Sequence, residues 1–506
     1  MRPRRVAVPL VLPFFAIFGG CQDARRGEVS SSASAAVEFD RDSDRDECVQ
    51  QEFLPTEPGE RIRRQRPDRE LRRMLREIDH NQIESTISKL ASFGTRHTLS
   101  SQTDPVRGIG AATKWIFDTL SAYAAASGGR MTVEQQTFTQ APGPRIPQPT
   151  TITNVIATLR GSGSPARTYV VSGHIDSRVT DVLNADADAP GADDDASGVA
   201  VVMELARVMS KRQPEATIVF TAVAGEEQGL FGSAVQAAQY KAAGADIQGM
   251  FSDDIVGSST ADDGTRDPHA IRLFDEGVPT SETAQQANIR RAVGGEVDGP
   301  SRQLGRFVAS VAENEETDMR IRIIYRRDRY LRASDHVSYL TQGYPAARFT
   351  EPNENFDHEH QDTRLENGVQ FGDLVDFVDF RYVARVARVN AAALWSLAEG
   401  PGTQKNVRIL TQSLTNTTDL VWDAGTELDL AGYEVPVHAD IPHQEVIFLD
   451  ETDPMSSPMK AKGVGELGIC GIGAAVANAI YNATGVRVRD YPITLDKLLD
   501  RLPDVG

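Results

Sequence analysis

Cysteine is scarce in this chain: three residues in 506, at Cys21, Cys48 and Cys470. Cys48 and Cys470 lie too far apart to form a disulfide framework, so neither is expected to have a structural role. Basic charge is also short, with 53 Lys and Arg against 72 Asp and Glu and a formal net charge of -19. That balance argues against nucleic acid as a partner and otherwise speaks mainly to solubility. The N-terminal apolar stretch, Val6 to Phe18, is too short to cross a bilayer comfortably as a stable helix. Preceded by Arg2, Arg4 and Arg5, it reads instead as an export signal. Gly19-Gly20-Cys21 looks like a bacterial lipobox, in which Cys21 would be acylated after cleavage. The expected location is therefore outside the cytoplasm, as a periplasmic protein or an outer-membrane lipoprotein.

What is present is enough for roughly two to four domains, and a 40% hydrophobic content can bury a sizeable core. After the signal (1–21), residues 22–80 comprise a polar, Ser- and Asp-rich tether and then an Arg-rich stretch with interleaved Glu and Leu. The stretch is expected to be a solvated helix with i,i+4 ion pairs. Residues 81–397 alternate between helical and strand patterns. Ile83 to Phe93, Gly110 to Ala125, Gly198 to Met209 and Gly232 to Ala243 have helical spacing. Thr153 to Leu159, Thr168 to Val171 and the near-continuous apolar Ala216 to Val223 read as strands. This alternation predicts a three-layer α/β/α sandwich around a mixed, mostly parallel sheet. Phe371 to Leu397 is expected to close the domain as one helix. Residues 398–427 read as a linker and two strands, near 406–410 and 419–423, like the opening of a fibronectin type III module. A small α+β fragment is expected over 428–506.

The chemistry concentrates in five pieces: Ser-Gly-His174-Ile-Asp176-Ser, Pro-Gly-Ala-Asp-Asp194-Asp-Ala-Ser-Gly, Ala-Gly-Glu226-Glu227-Gln-Gly, Ser-Asp253-Asp254-Ile-Val-Gly, and Asp-His358-Glu-His360-Gln-Asp-Thr. Taken singly, each has an ordinary reading. Runs of Asp are usually solvated, adjacent Glu pairs usually sit on exposed helix faces, and His serves many roles. Their conjunction outweighs those readings, because the apolar strand before His174 is a costly place for an unpaired His or Asp. Sites in open α/β sheets gather where strands end; His174, Glu226 and Glu227 follow predicted strands, and Asp254 follows the apolar Met250-Phe251. Two imidazoles and three carboxylates (His174, Asp194, Glu227, Asp254, His358) suit a pair of zinc ions. Asp176, two residues after His174 and on the same strand face, is expected to hold the His ring. Glu226 is left free to act as general base. Asp253 competes with Asp254 for one ligand place, and His360 with His358 for another.

These motifs resemble the zinc aminopeptidases of metallopeptidase family 28 over roughly residues 81–397. Ser334-Asp335-His336 and Gly343-Tyr-Pro-Ala-Ala347 are similar to its later motifs. The resemblance implies two zinc ions, one on His174 and Asp254 and the other on Glu227 and His358, bridged by Asp194. It also implies a cis Asp194–Asp195 peptide. The residue before Ile255-Val-Gly257 matches the family at Asp254, and the four-residue spacing to Asp362 favours His358. The implied activity is hydrolysis of peptides with a free N-terminus, with carboxypeptidase or dipeptidase action as the alternative. A disulfide near the Ser-Asp-His motif of some members has no counterpart here, where Arg332 and Ala333 stand.

A second resemblance lies at residues 428–500. Lys462-Gly-Val-Gly-Glu466-Leu-Gly and the segment after it are similar to the tail of the molybdenum-binding subunit of xanthine dehydrogenase-type hydroxylases, where the matching Glu is the catalytic base. The cofactor-holding regions are missing, so no hydroxylase activity is expected. The tail reads as a foreign fragment joined after the two strands.

Overall fold

The computed structural model describes residues 4–8, 68–163, 167–329, 333–400, 408–409 and 418–422. The chain divides into two compact units. In the smaller, β1 (Arg4–Val8) pairs antiparallel with β13 (Thr418–Trp422), which pairs antiparallel with β12 (Arg408–Ile409). The tether, most of the signal segment and all of 428–506 lie outside the described residues.

The larger unit opens with α1 (Arg69–Glu77), capped by Asp68, whose side chain accepts from Leu71 N. The Arg-rich segment is not merely solvated: Leu71, Met74 and Leu75 are buried. Its Arg76 pairs with the distant Glu316 at 2.5 Å, not with an i,i+4 partner. Then follow α2 (His80–Ala91), α3 (Ile109–Ala126), β2 (Met131–Gln140), β3 (Thr150–Leu159), β4 (Arg167–His174) and α4 (Ala196–Met209). Next come β5 (Thr217–Val223), α5 (Phe231–Ala242), β6 (Asp246–Asp253), β7 (Ala270–Asp275), α6 (Ala284–Val293) and α7 (Pro300–Ala312). β8 (Arg320–Ile324), α8 (His336–Thr341), β9 (Ala346–Thr350), the hairpin β10 (Arg364–Glu366) and β11 (Val369–Phe371), and α9 (Phe380–Glu399) complete it.

Eight strands form one sheet in the order β2-β3-β5-β4-β6-β9-β7-β8. The central run β5-β4-β6-β9 is parallel, whereas β2, β3 and β7 enter antiparallel to a neighbour. This is the expected three-layer architecture with a mixed sheet. Side chains alternate across it as a strand requires. Tyr169 and Val171 of β4 join the core that includes α4 and α9, while Val170 between them joins the core under α5 and α8. Every residue of β5 is buried, which explains its nearly continuous apolar sequence, broken only by Thr217 and Thr221.

The closing helix is shorter than expected. α9 begins at Phe380, because Asp379 caps it by accepting from Arg381 N and Tyr382 N. The preceding residues instead form β11 and a single 3-10 turn at Val375–Phe377.

Two glycines bring α4 onto the sheet. A Cβ on Gly173 would meet Gly198 C at 2.5 Å, and one on Gly198 would meet Asp253 O at 2.2 Å. The N-terminus of α4 therefore sits directly against the ends of β4 and β6, and the Asp-rich loop before it lies next to His174.

Candidate metal centre

His174 is the last residue of β4 and is almost fully buried. Its Nδ1 is 2.9 Å from the Asp176 carbonyl. A carbonyl only accepts, so Nδ1 carries a proton and Nε2 is the ring atom turned to the site. Nε2 faces Asp194 Oδ1 at 3.1 Å and Asp254 Oδ1 at 3.9 Å.

Asp194 is held by its own loop. The Asp194–Asp195 peptide is cis. Asp195 receives His174 N at 2.7 Å and Gly198 N at 2.9 Å, so it caps α4 and ties the loop to β4. Asp373 receives both Asp193 N and Asp194 N, each at 2.8 Å. Arg96, 1% exposed, donates to the carbonyls of Ile175, Pro190 and Gly191. These contacts leave the Asp194 carboxylate between two imidazoles: Oδ1 faces His174, and Oδ2 faces His360 Nε2 at 2.9 Å.

The second imidazole is His360, not His358. His360 Nε2 lies 3.1 Å from Glu227 Oε1. The His358 ring instead stacks on Phe377, with centroids 3.7 Å apart and planes 10° from parallel. The cause is local. His358 N and Glu359 N both bond to Asn355 O, and His360 has a φ of 56°, so this turn sends His358 and His360 in different directions. Two groups of donors result, each within 4.8 Å: His174, Asp194 and Asp254, and Asp194, Glu359 and His360. Glu227 borders the second group, and Glu359 is a candidate donor that sequence spacing did not reveal.

The choice between Asp253 and Asp254 is made by their partners. Asp253 accepts from Asn390 Nδ2 of α9 at 2.7 Å, and burial pushes its carboxyl well above the usual range. Asp254 turns the other way, toward His174 and toward the fully buried Arg348, whose Nη2 is 2.9 Å from its Oδ1. Arg348 Nη1 in turn reaches Asp328 at 3.1 Å.

Asp176 lies beside the ring as expected but does a different job. Its carboxylate is 3.8 Å from His174 Nδ1. It receives Thr98 Oγ1 at 2.9 Å, Gly225 N at 2.9 Å, Glu226 N at 3.2 Å and Glu227 N at 3.0 Å. It thus fixes the loop that carries both glutamates, while its backbone carbonyl orients the imidazole.

Electrostatics follow from this crowding. Burial disfavours charge on His174 and His360, but surrounding carboxylates, Asp195 and Glu226 for the first and Glu227 and Asp194 for the second, outweigh it and raise both. Burial works against the Asp194 carboxylate as well, yet His360 and His174 hold it well below its ordinary value. Burial, reinforced by Asp254 and Glu227 against the opposing His174, lifts the half-buried Glu226 well above the ordinary carboxylate range. Burial also raises Asp335, of the Ser-Asp-His motif, to about 7. Arg178 braces the other end: its Nε donates to Glu227 Oε2 at 2.9 Å, and its Nη2 is 2.7 Å from His360 Nδ1. Arg178, Arg348 and Asp373 carry no sequence signal of their own. Each is recognised only by the ligand-type side chain or backbone it touches.

Nitrogen and oxygen donors converging from five strand ends and loops, with one carboxylate shared, are a donor set suited to zinc. Residues 154–367 match the family model described as Peptidase family M28. A probable zinc metalloprotease of Leptosphaeria maculans is 54% identical over 369 residues, covering 73% of this chain and 86% of that protein. Another, of Pyricularia oryzae, is 54% identical over 389 residues, covering 75% of this chain and 77% of that one. Among solved structures, the Legionella pneumophila LapA aminopeptidase is 20% identical, covering 68% of this chain and 78% of that one, with a TM-score of 0.47. The matched segment includes His174, Asp194, Glu226, Glu227, Asp254 and His360. With half its residues shared with those metalloproteases over most of its length, the chain belongs to peptidase family M28 and is a zinc-dependent metallopeptidase.

Proposed function

We propose that the protein is a di-zinc aminopeptidase, and the observation that carries the reading is the shared carboxylate. Asp194 offers one oxygen to each of two imidazoles, which makes it a natural bridge between two ions. His174 and Asp254 would complete one site. His360 with Glu227 or Glu359 would complete the other. Zinc bound there supplies Lewis acidity toward a carbonyl oxygen and toward water.

The remaining roles belong to the chain. Glu226 is neither braced by Arg178 nor paired with an imidazole, and its raised affinity for protons suits a group that takes one from water and returns it to the leaving amine. Asp176 positions Glu226 by holding its backbone N–H. Around the two imidazoles stand Asp194, Glu226, Glu227, Asp254, Asp335 and Glu359, an excess of carboxylates. Two bound zinc ions would balance most of that charge, so the preference for a free N-terminus over carboxypeptidase action rests on the motif resemblance.

The test compares free-amine peptides with their N-acetyl counterparts, with and without chelator, alongside zinc analysis. Cleavage of free-amine peptides alone, two zincs per chain and loss of activity on chelation are expected. Equal cleavage of blocked peptides would sink the aminopeptidase reading. We further propose, from Arg2 to Cys21, that the chain is exported and acylated at Cys21. Membrane fractionation of Cys21→Ser tests this, and an unchanged distribution would refute acylation.

A further inference from the structure

A cavity of about 750 Å³ opens between the ends of β7 and β8, the first turn of α7 and the loop before α8. The peptidase chemistry above makes no use of it. Four arginines line it, Arg302, Arg326, Arg327 and Arg329, together with three acids. Each acid has a partner. Glu276 accepts from Thr280 N and Oγ1 at 2.8 and 2.7 Å, Glu296 lies 3.0 Å from Arg290, and Asp328 lies 3.1 Å from Arg348. Arg329 is taken as well, paired with Glu354.

Arg302, Arg326 and Arg327 are left without an ion pair among the described residues. Arg302 is the informative one. It is only 8% exposed, its Nε has no hydrogen-bond partner, and its guanidinium lies over the Tyr325 ring at 4.0 Å. The backbone makes room for it: a Cβ on Gly277 would meet its Nη2 at 2.7 Å. Asp275 is near enough to feel Arg302, but neither of its oxygens is hydrogen-bonded and burial lifts its carboxyl to about 7. A buried guanidinium without a bonded counter-charge is costly. An incoming carboxylate would relieve that cost with two parallel hydrogen bonds.

Two chains of ionic contacts link the cavity to the metal centre. Asp328 lines it and holds Arg348, which holds Asp254. Arg329 Nη1 is 3.8 Å from Glu359, the neighbour of His360. Ala333 on its lining stands two residues before Asp335.

We propose that this cavity is a specificity pocket for a carboxylate of the peptide substrate, gripped by Arg302 with the exposed Arg326 and Arg327 on its solvent side. The proposal rests on the peptidase reading and adds the substrate class: peptides with a free N-terminus and a carboxylate for the arginines. That carboxylate is either an acidic side chain or the C-terminus of a short peptide.

The experiment measures kcat/KM of the zinc-loaded enzyme on two pairs of substrates. One pair is Glu-initiated against Gln-initiated peptide amides. The other is a short neutral peptide as free acid against its amide. The carboxylate member of one pair is expected to be preferred about 10- to 100-fold, the range of a charged hydrogen bond, and the pair that responds identifies the source. Arg302→Met should bring the ratio close to one, and Arg302→Lys should keep part of it. Where Arg302→Met fails to fold, the exposed Arg326→Ala and Arg327→Ala variants should still lower the ratio severalfold. Ratios near one on both pairs, with brisk turnover of the neutral peptides, would overturn the pocket. Cleavage of none of the peptides would count against the peptidase reading. In that event calorimetry on the Glu226→Gln protein decides the pocket, and equal binding within both pairs, glutamate amide against glutamine amide and the short neutral peptide acid against its amide, overturns it.

Discussion

Asp176→Asn is the sharpest test of how the centre is held. The substitution conserves volume at a residue with 0% exposure, so any effect comes from hydrogen bonding and charge. In the wild type, Oδ1 receives Gly225 N and Glu226 N, and Oδ2 receives Thr98 Oγ1 and Glu227 N. An amide has one oxygen. Its best placement keeps that oxygen on Gly225 and Glu226 and turns the NH2 toward Thr98, whose hydroxyl can rotate to accept. The Glu227 N–H then faces another donor and is left buried without a partner. One charged hydrogen bond, worth about 1.5–3 kcal/mol, is lost, and the two that remain are to a neutral acceptor. A destabilisation of about 2–4 kcal/mol follows. Urea unfolding of the zinc-loaded proteins reads it directly. Because the released N–H belongs to Glu227, affinity for zinc should fall about 10- to 100-fold, the usual effect of removing a partner that orients a ligand. A variant with wild-type unfolding midpoint, zinc content and kcat/KM would refute the positioning role of Asp176.

Three further outcomes separate the roles assigned around it. On the proposed di-zinc reading, His360→Ala should cost one zinc per chain and at least about a hundredfold in kcat/KM. His358→Ala should lose only a ring stack, worth about 0.5–1.5 kcal/mol of stability, and keep its zinc; the reverse pattern on zinc analysis would restore His358 as the ligand. Glu226→Gln should lower kcat by about 10²–10⁴ with its zinc content unchanged, and metal loss or near-normal turnover would remove it as the base. Asp275 has a folded-state pKa of about 7, raised mainly by burial above its unfolded value. Its contribution is therefore complete below about pH 4, near the unfolded pKa, and is lost as pH rises through 7. Asp275→Asn should flatten that decline, most visibly at pH 8 in thermal unfolding scans, and an unchanged pH profile would contradict the shift.

The sheet and its ligand-bearing strand ends were readable because burial leaves a periodic trace. β5 is mostly apolar because both faces are covered, and β4 alternates between two cores. A strand also delivers its last residue to a known edge, so His174 and the Glu226–Glu227 pair could be placed from pattern alone. Spacing stops being informative where the backbone leaves that regularity. Both ambiguities in the ligand set fall at such points. Ile255, immediately after Asp254, has a φ of 57°, and His360 itself has a φ of 56°. In the left-handed region the rule that residues two apart share a face no longer holds. The four-residue spacing from His358 to Asp362 therefore said nothing about which ring faces Asp194. The same reasoning applies to the supporting residues. Asp373 reaches Asp194 across 179 positions and Arg348 reaches Asp254 across 94, so only the folded chain brings them together. Asp176 stands beside His174 as its spacing predicts, but the hydrogen bonds of its carboxylate leave no trace in the sequence, because the loop it anchors returns from the neighbouring strand β5, some 50 residues later.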